Sequence, residues 1–213
     1  MAQLSFVSMV RPAPDFMLMA PLLEAFSTST AVVALAEIGD KTQLLAIVLA
    51  TRFKRPLPIV AGILVATIVN HFLAALVGVV AADLLDGQWF HYAVAAGFIA
   101  MGLWTLVPDT LDDEDDTKSP ARFGAFLTTV VAFFLVEMGD KTQVATIALG
   151  ARFHDAVAVT CGTTLGMMIA NVPAVFLGNA LIARVPMVAV RMVAAALFLG
   201  IGVWLLAQTA GLV

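Results

Sequence analysis

Glu37-Ile38-Gly39-Asp40-Lys41-Thr42-Gln43 lies inside an apolar stretch, and one hundred residues later the chain repeats it as Glu137-Met138-Gly139-Asp140-Lys141-Thr142-Gln143. The constant offset extends beyond the motif without a gap. Arg52-Phe53 falls on Arg152-Phe153, Gly62 on Gly162, Gly78 on Gly178, and Phe98 on Phe198, while Gly102 and Trp104 fall on Gly202 and Trp204. Chance similarity between apolar runs can match Ala with Ala. It does not place a seven-residue polar motif and a distant tryptophan at one offset. The chain is an internal duplication.

The solvent of both copies is lipid. Of 213 residues, 62% are hydrophobic and 12% charged, with a mean hydropathy of +1.01. A soluble domain carries about 25% charged residues to wet its surface, and half that fraction leaves too little polar area to cover a globule. Six apolar segments stand out, at Phe26–Ala50, Pro58–Ala82, Trp89–Val107, Phe123–Gly150, Ala156–Ala183 and Met187–Ala210. Each is long enough for a helix across a hydrocarbon core of about 30 Å. The expected fold is an all-α membrane protein of six transmembrane helices. Its parts are an N-terminal extension (1–21), a first three-helix repeat (22–107), an acidic linker (108–121) and a second three-helix repeat (122–213). The run Asp112-Asp113-Glu114-Asp115-Asp116 bars the linker from lipid. Arg11, Pro12, Pro14 and Asp15 interrupt the first twenty residues, so no signal peptide is expected. The single cysteine, Cys161, allows no disulfide framework. Without a basic patch or interleaved aromatics, nothing suggests nucleic acid.

Three spans per copy is an odd number, so the second copy is expected to cross the bilayer in the opposite direction. Inverted repeats are a transporter architecture, with the substrate site near the midplane between the repeats. Loops one–two, three–four and five–six share one side and hold Arg52, Lys54, Arg55, Lys118, Arg122 and Arg184, against Arg11 and Arg152 on the other. Positive residues mark the cytoplasmic side. The central acidic loop is then cytoplasmic and both termini lie outside.

On a continuous helix, Glu37 and Asp40 would share a face, and Lys41 would sit four residues from Glu37, within pairing distance. Gly39 would let another helix or an ion approach the backbone, and Thr42 and Gln43 would add neutral oxygens. The second copy offers Glu137, Asp140, Lys141, Thr142 and Gln143 in the same way. Ionisable groups at this depth cost about 2.5–3.5 kcal/mol each on insertion scales and point to function. Four carboxylates and two lysines leave a formal charge of two negative, which suits one divalent cation. The ligand set is all oxygen, which fits magnesium, calcium or manganese rather than zinc or copper. Crowded carboxylates also repel one another when empty, so protons compete with the cation. A site holding either a metal ion or protons is the basis of antiport. The rival structural reading is a pair of Glu–Lys staples between helices. It leaves Asp40 and Asp140 unexplained.

Other polar residues are weaker pointers. Asn70, His71 and Asn171 lie within spans, where interhelical hydrogen bonds are their ordinary use. Gly62, Gly78, Gly162, Gly166 and Gly178 read as close helix contacts, and Trp89, Trp104 and Trp204 as interfacial anchors. Arg52 and Arg152, directly after their spans, read as headgroup anchors.

The doubled Glu-x-Gly-Asp-Lys-Thr motif, three spans per half and an acidic central loop resemble the Gdt / transmembrane protein 165 family of cation/proton exchangers, whose bacterial members include MneA-type manganese exporters. The resemblance runs from about Glu24 to the C-terminus. It implies transport of manganese, with calcium as the second ion, coupled to protons. It assigns the family's acidic positions to Glu37, Asp40, Glu137 and Asp140, and its polar positions to Thr42, Gln43, Thr142 and Gln143. The compact form implies a bacterial inner-membrane exporter acting by alternating access, with a divalent cation and protons as partners in the bilayer and no cofactor. The oligomeric state is open. Two other readings stand as alternatives. An exporter of a small cationic organic solute would need a larger cavity and an anchor for the solute's carboxylate. A metal-dependent intramembrane enzyme would need His, Arg or Ser companions, and none is visible.

Overall fold

Each copy of the motif interrupts a helix. Gly39 and Gly139 take left-handed backbone angles (φ +84° and +79°) that a side chain disfavours. Asp40 and Asp140 follow in extended conformation and start a new helix as its N-cap. The six apolar segments therefore yield eight helices among the described residues, because the first and fourth are broken in two. The computed structural model describes residues 14–85, 87–107, 124–178 and 186–213. In the first half α1 is Pro14–Glu37, α2 Lys41–Phe53, α3 Pro56–Leu84 and α4 Gln88–Thr105. In the second half α5 is Gly124–Glu137, α6 Lys141–Phe153, α7 Ala156–Leu177 and α8 Met187–Thr209. Helix α1 already begins within the stretch 1–21 set apart above as an extension. The linker 108–121 with its acidic run, and Arg11, Lys118, Arg122 and Arg184, lie outside the described residues.

The burial pattern is that of a lipid-embedded protein. Helix α3 leaves Val65, Ile68, Val69, Phe72, Leu73, Leu76, Val77 and Val80 open to the surroundings while burying Thr67, Asn70 and His71. In water this distribution would be inside out. In lipid the apolar face is solvated and the polar groups must find partners within the protein. Among the described residues, four helices are long and apolar enough to cross a membrane, spanning Met19–Glu37, Pro56–Leu84, Ala156–Leu177 and Met187–Thr209, and Gly124–Glu137 is a shorter apolar helix. The chain is a multi-pass membrane protein.

The halves interlock reciprocally. Helix α1 packs along α7 as α5 packs along α3, α2 meets α7 as α6 meets α3, and α4 lies against α8. The close contacts repeat at the hundred-residue offset. Gly62 faces the Phe126 carbonyl and Thr129, and Gly162 faces the Phe26 carbonyl and Ser29. Gly102 lies against Leu199 and the Ala195 carbonyl, and Gly202 against Ile99 and the Ala95 carbonyl. Phe98 and Phe198 meet with ring centroids 6.3 Å apart. Exchanging the halves reproduces these contacts, as in an isologous dimer, but not the crossing of α3 with α6, which the α7–α2 pair does not match. Gly166 likewise faces the Thr30 carbonyl at its own crossing, so the expected packing role holds for four of the five glycines. Gly178 is the exception: it ends α7 with φ +57°, and no described residue comes within 4 Å of where its Cβ would lie.

The tightest crossing joins α3 to α6, where Gly78 abuts the Ile147 carbonyl and the Ala151 amide, and Gly150 abuts the Ala75 backbone. A Cβ at either site would meet backbone, which cannot swing aside. Gly78→Val is expected to lower thermal stability in detergent by about 1–3 kcal/mol, the usual cost of overpacking. Gly97→Ala, with nothing within 4 Å, should leave the melting temperature unchanged.

Candidate metal site

The helix breaks aim the acidic residues at one another. Glu37 ends α1 and Glu137 ends α5, both fully buried. One oxygen from each of Glu37, Glu137 and Asp140 falls within 4.8 Å of the others, forming a group able to hold a metal ion. Asp40 is buried as well but does not join this trio. At 4.8 Å and an effective dielectric of 20, two ionised carboxylates repel by about 3 kcal/mol. The surroundings offset part of this. Thr42 Oγ1 donates to Glu37 Oε2 at 2.5 Å, and Thr142 Oγ1 lies 3.1 Å from Glu137 Oε2 and 3.3 Å from Asp140 Oδ2. The N-termini of α2 and α6, with their partial positive charge, open at the same place.

Lys41 completes the balance. Its Nζ lies 3.1 Å from Asp140 Oδ1, across the repeat boundary. This corrects the pairing expected with Glu37, which required a continuous helix. Three carboxylates and this ammonium carry a formal charge of two negative when all are ionised. The remaining oxygens, Glu37 Oε1 and Glu137 Oε1, are buried and have no hydrogen-bond partner among the described residues.

The glutamines are engaged at the helix breaks in this arrangement. Gln43 Oε1 accepts from the Gly39 amide at 3.0 Å, and Gln143 Oε1 from the Gly139 amide at 2.7 Å. Each thus caps the break from inside the new helix, in the manner of a capping box. Their Nε2 atoms reach into the other repeat at matched positions. Gln43 donates to the Ala170 carbonyl at 2.9 Å, and Gln143 to Asn70 Oδ1 at 2.5 Å. Asn70 therefore serves as the interhelical partner expected of it.

His71 carries more than the sequence suggested. It is fully buried, with Nε2 3.7 Å from Glu137 Oε2 and no hydrogen-bond partner for either ring nitrogen among the described residues. A histidine at the middle of an apolar span was the available signal. At the matched position Asn171 bonds back to the Met167 carbonyl of its own helix at 3.1 Å, leaving its Oδ1 without a partner among the described residues. Trp104 faces the second motif's lysine, since Lys141 Nζ sits 5.7 Å from its ring centroid and 3.1 Å from the Val107 carbonyl.

The sequence matches the family described as "Divalent cation/proton antiporter GDT1" over residues 25–113 and 125–212. The chain belongs to the GDT1 family. Both matched segments contain one copy of the motif, so the family pattern covers both halves of the carboxylate site. Among GDT1 relatives, the chain is 45% identical over 193 residues to a Vibrio cholerae protein named "Putative manganese exporter", covering 90% of this chain and 93% of that one. It is 32% identical to GDT1-like protein 5 of Arabidopsis thaliana, over 78% of this chain and 88% of that one. A GDT1-like protein of Synechocystis is 29% identical, over 83% and 94% of the two chains. No solved structure matches.

Gln43 is the residue on which the first break most visibly depends. Gln43→Leu removes the acceptor of the Gly39 amide and the cross-repeat bond together. A loss of about 1–3 kcal/mol of stability is expected, read as a lower melting temperature in detergent. An unchanged melting temperature would show that the cap is held by other groups.

Proposed function

We propose that the protein exports manganese(II) from the cytoplasm in exchange for protons. The observation that carries this reading is the trio of Glu37, Glu137 and Asp140, three buried carboxylates from two repeats within ion-coordinating reach. Hard oxygen donors favour magnesium, calcium or manganese. Membership of a divalent cation/proton antiporter family, and a relative whose name specifies manganese export, favour manganese, with calcium as the second candidate.

The exchange follows from electrostatics. An ionised empty trio is unstable in a medium without water, so the site holds either a dication or protons. Glu37, Glu137 and Asp140 bind the ion in the arrangement described, and Asp40 belongs to the same site. Thr42 and Thr142 hold the carboxylates, while Gln43 and Gln143 fix the broken helices that present them. Protons arriving from outside neutralise the carboxylates and release the ion. The six apolar segments act as six spans in two inverted repeats, and alternating access rocks one repeat against the other around a site at the midplane. The location is the inner membrane, with the acidic loop cytoplasmic and both termini outside, as the arginine and lysine distribution favours.

Packing disfavours export of an organic solute, because oxygens within 4.8 Å of one another leave room for a single ion.

Purified protein in liposomes is expected to accumulate manganese when an opposing proton gradient is imposed, and to stop when the gradient is collapsed. Glu137→Gln and Asp40→Asn should each abolish this flux, and abolish manganese resistance in cells at normal expression. Uptake that ignores the pH gradient would reject proton exchange. Full flux in both variants would reject the site.

A further inference from the structure

Lys41 and Lys141 occupy the same place in a duplicated motif, yet they do different things. Lys41 crosses to Asp140 of the other repeat, with its side chain 22% exposed. Lys141 turns away to the Val107 carbonyl and the face of Trp104. The aspartates differ in the same sense, Asp140 joining the metal-ready trio and Asp40 standing outside it. Meanwhile the α1–α7 and α3–α5 crossings and the α4–α8 seam are reciprocal, while the Gly78–Gly150 crossing of α3 with α6 has no counterpart between α7 and α2. A duplicated scaffold whose α3–α6 crossing and charge arrangement are both one-sided has a second arrangement available, generated by exchanging the halves. The groups for that arrangement are present in the sequence. Trp204 and position 207 stand one hundred residues from Trp104 and Val107, and Asp40 stands one hundred from Asp140.

We propose that Lys41 and Lys141 alternate as the ammonium that pins the aspartate of the opposite repeat, so that Asp140 and Asp40 take turns as the third carboxylate beside Glu37 and Glu137. This rests on the exchanger reading above. In the arrangement described, Lys41 holds Asp140 and Lys141 is withdrawn. In the reversed arrangement Lys141 holds Asp40 and Lys41 withdraws toward Trp204. The tethered ammonium competes with the transported dication for the same carboxylate, so ion binding loosens the pin and couples occupancy to the change of state. The two arrangements need not be equal in energy, because His71 beside Glu137 is matched by Asn171.

A cavity of about 560 Å³, lined by residues of α4, α6 and α8 that include Gln88, Arg152 and Thr209, provides a reporter of state. With Cys161→Ser as background, Thr209→Cys is labelled by a membrane-impermeant maleimide in liposomes. Lys41→Met and Asp140→Asn weaken the observed arrangement and should slow labelling. Lys141→Met and Asp40→Asn weaken the reversed one and should speed it, the two groups differing by about fivefold or more. Lys41→Arg keeps the pin and should label at the wild-type rate. A purely structural role for the lysines would not sort the four variants diagonally across the repeats. Manganese uptake by the Lys41 and Lys141 parent protein is measured in parallel. Labelling that shifts alike in all four variants, or in none, beside normal uptake overturns the alternation alone. Absent uptake overturns the exchanger reading and the alternation with it.

Discussion

Three carboxylates held within 4.8 Å of one another, out of contact with water, are the constraint to which the rest of this protein answers. A continuous helix could not satisfy it, because its backbone amides are already committed to the preceding turn. Breaking the helix at Gly39 and Gly139 frees a helix N-terminus beside each glutamate and orients a threonine hydroxyl onto it. The glutamines then repair the break by capping the glycine amides. The seven-residue motif is thus one device in which every polar member serves the buried charge: Glu and Asp supply it, Gly and Gln shape the backbone around it, Thr donates to it, and Lys41 counters it.

Duplication supplies the second half of the device at little cost in sequence. Glycines at Gly62 and Gly162, and at Gly102 and Gly202, let the halves approach in reciprocal contacts, which bring the two breaks face to face. Where the scaffold is reciprocal the charges are not, and the difference between Lys41 and Lys141 is carried by side chains long enough to choose between partners. A lysine's flexible stem allows this at small cost, whereas the packed helix crossings do not.

Much of this was legible in the sequence. The apolar runs, the hundred-residue offset and the acidic pairs pointed to a duplicated helical membrane protein with an oxygen-rich site, because hydropathy and repeated polar positions survive without knowledge of the fold. The helix break is also written there. Gly39 followed by Asp40 and, three residues on, Gln43 is a helix stop followed by an N-cap with a capping-box partner. Within a long apolar stretch helical periodicity masks that signal and points Lys41 at Glu37, on a helix that does not continue. The pairing with Asp140 depends on how the halves dock, which no local pattern encodes. His71 illustrates the same point: nothing near it in the chain announces Glu137, sixty-six positions away in sequence.

Anomalous X-ray diffraction at the manganese absorption edge, from crystals grown with the ion, tests the central claim most directly. The account predicts a single strong peak within coordinating distance of Glu37, Glu137 and one of the two motif aspartates. A peak confined to surface acidic residues, or none between the two helix breaks at saturating manganese, would contradict it.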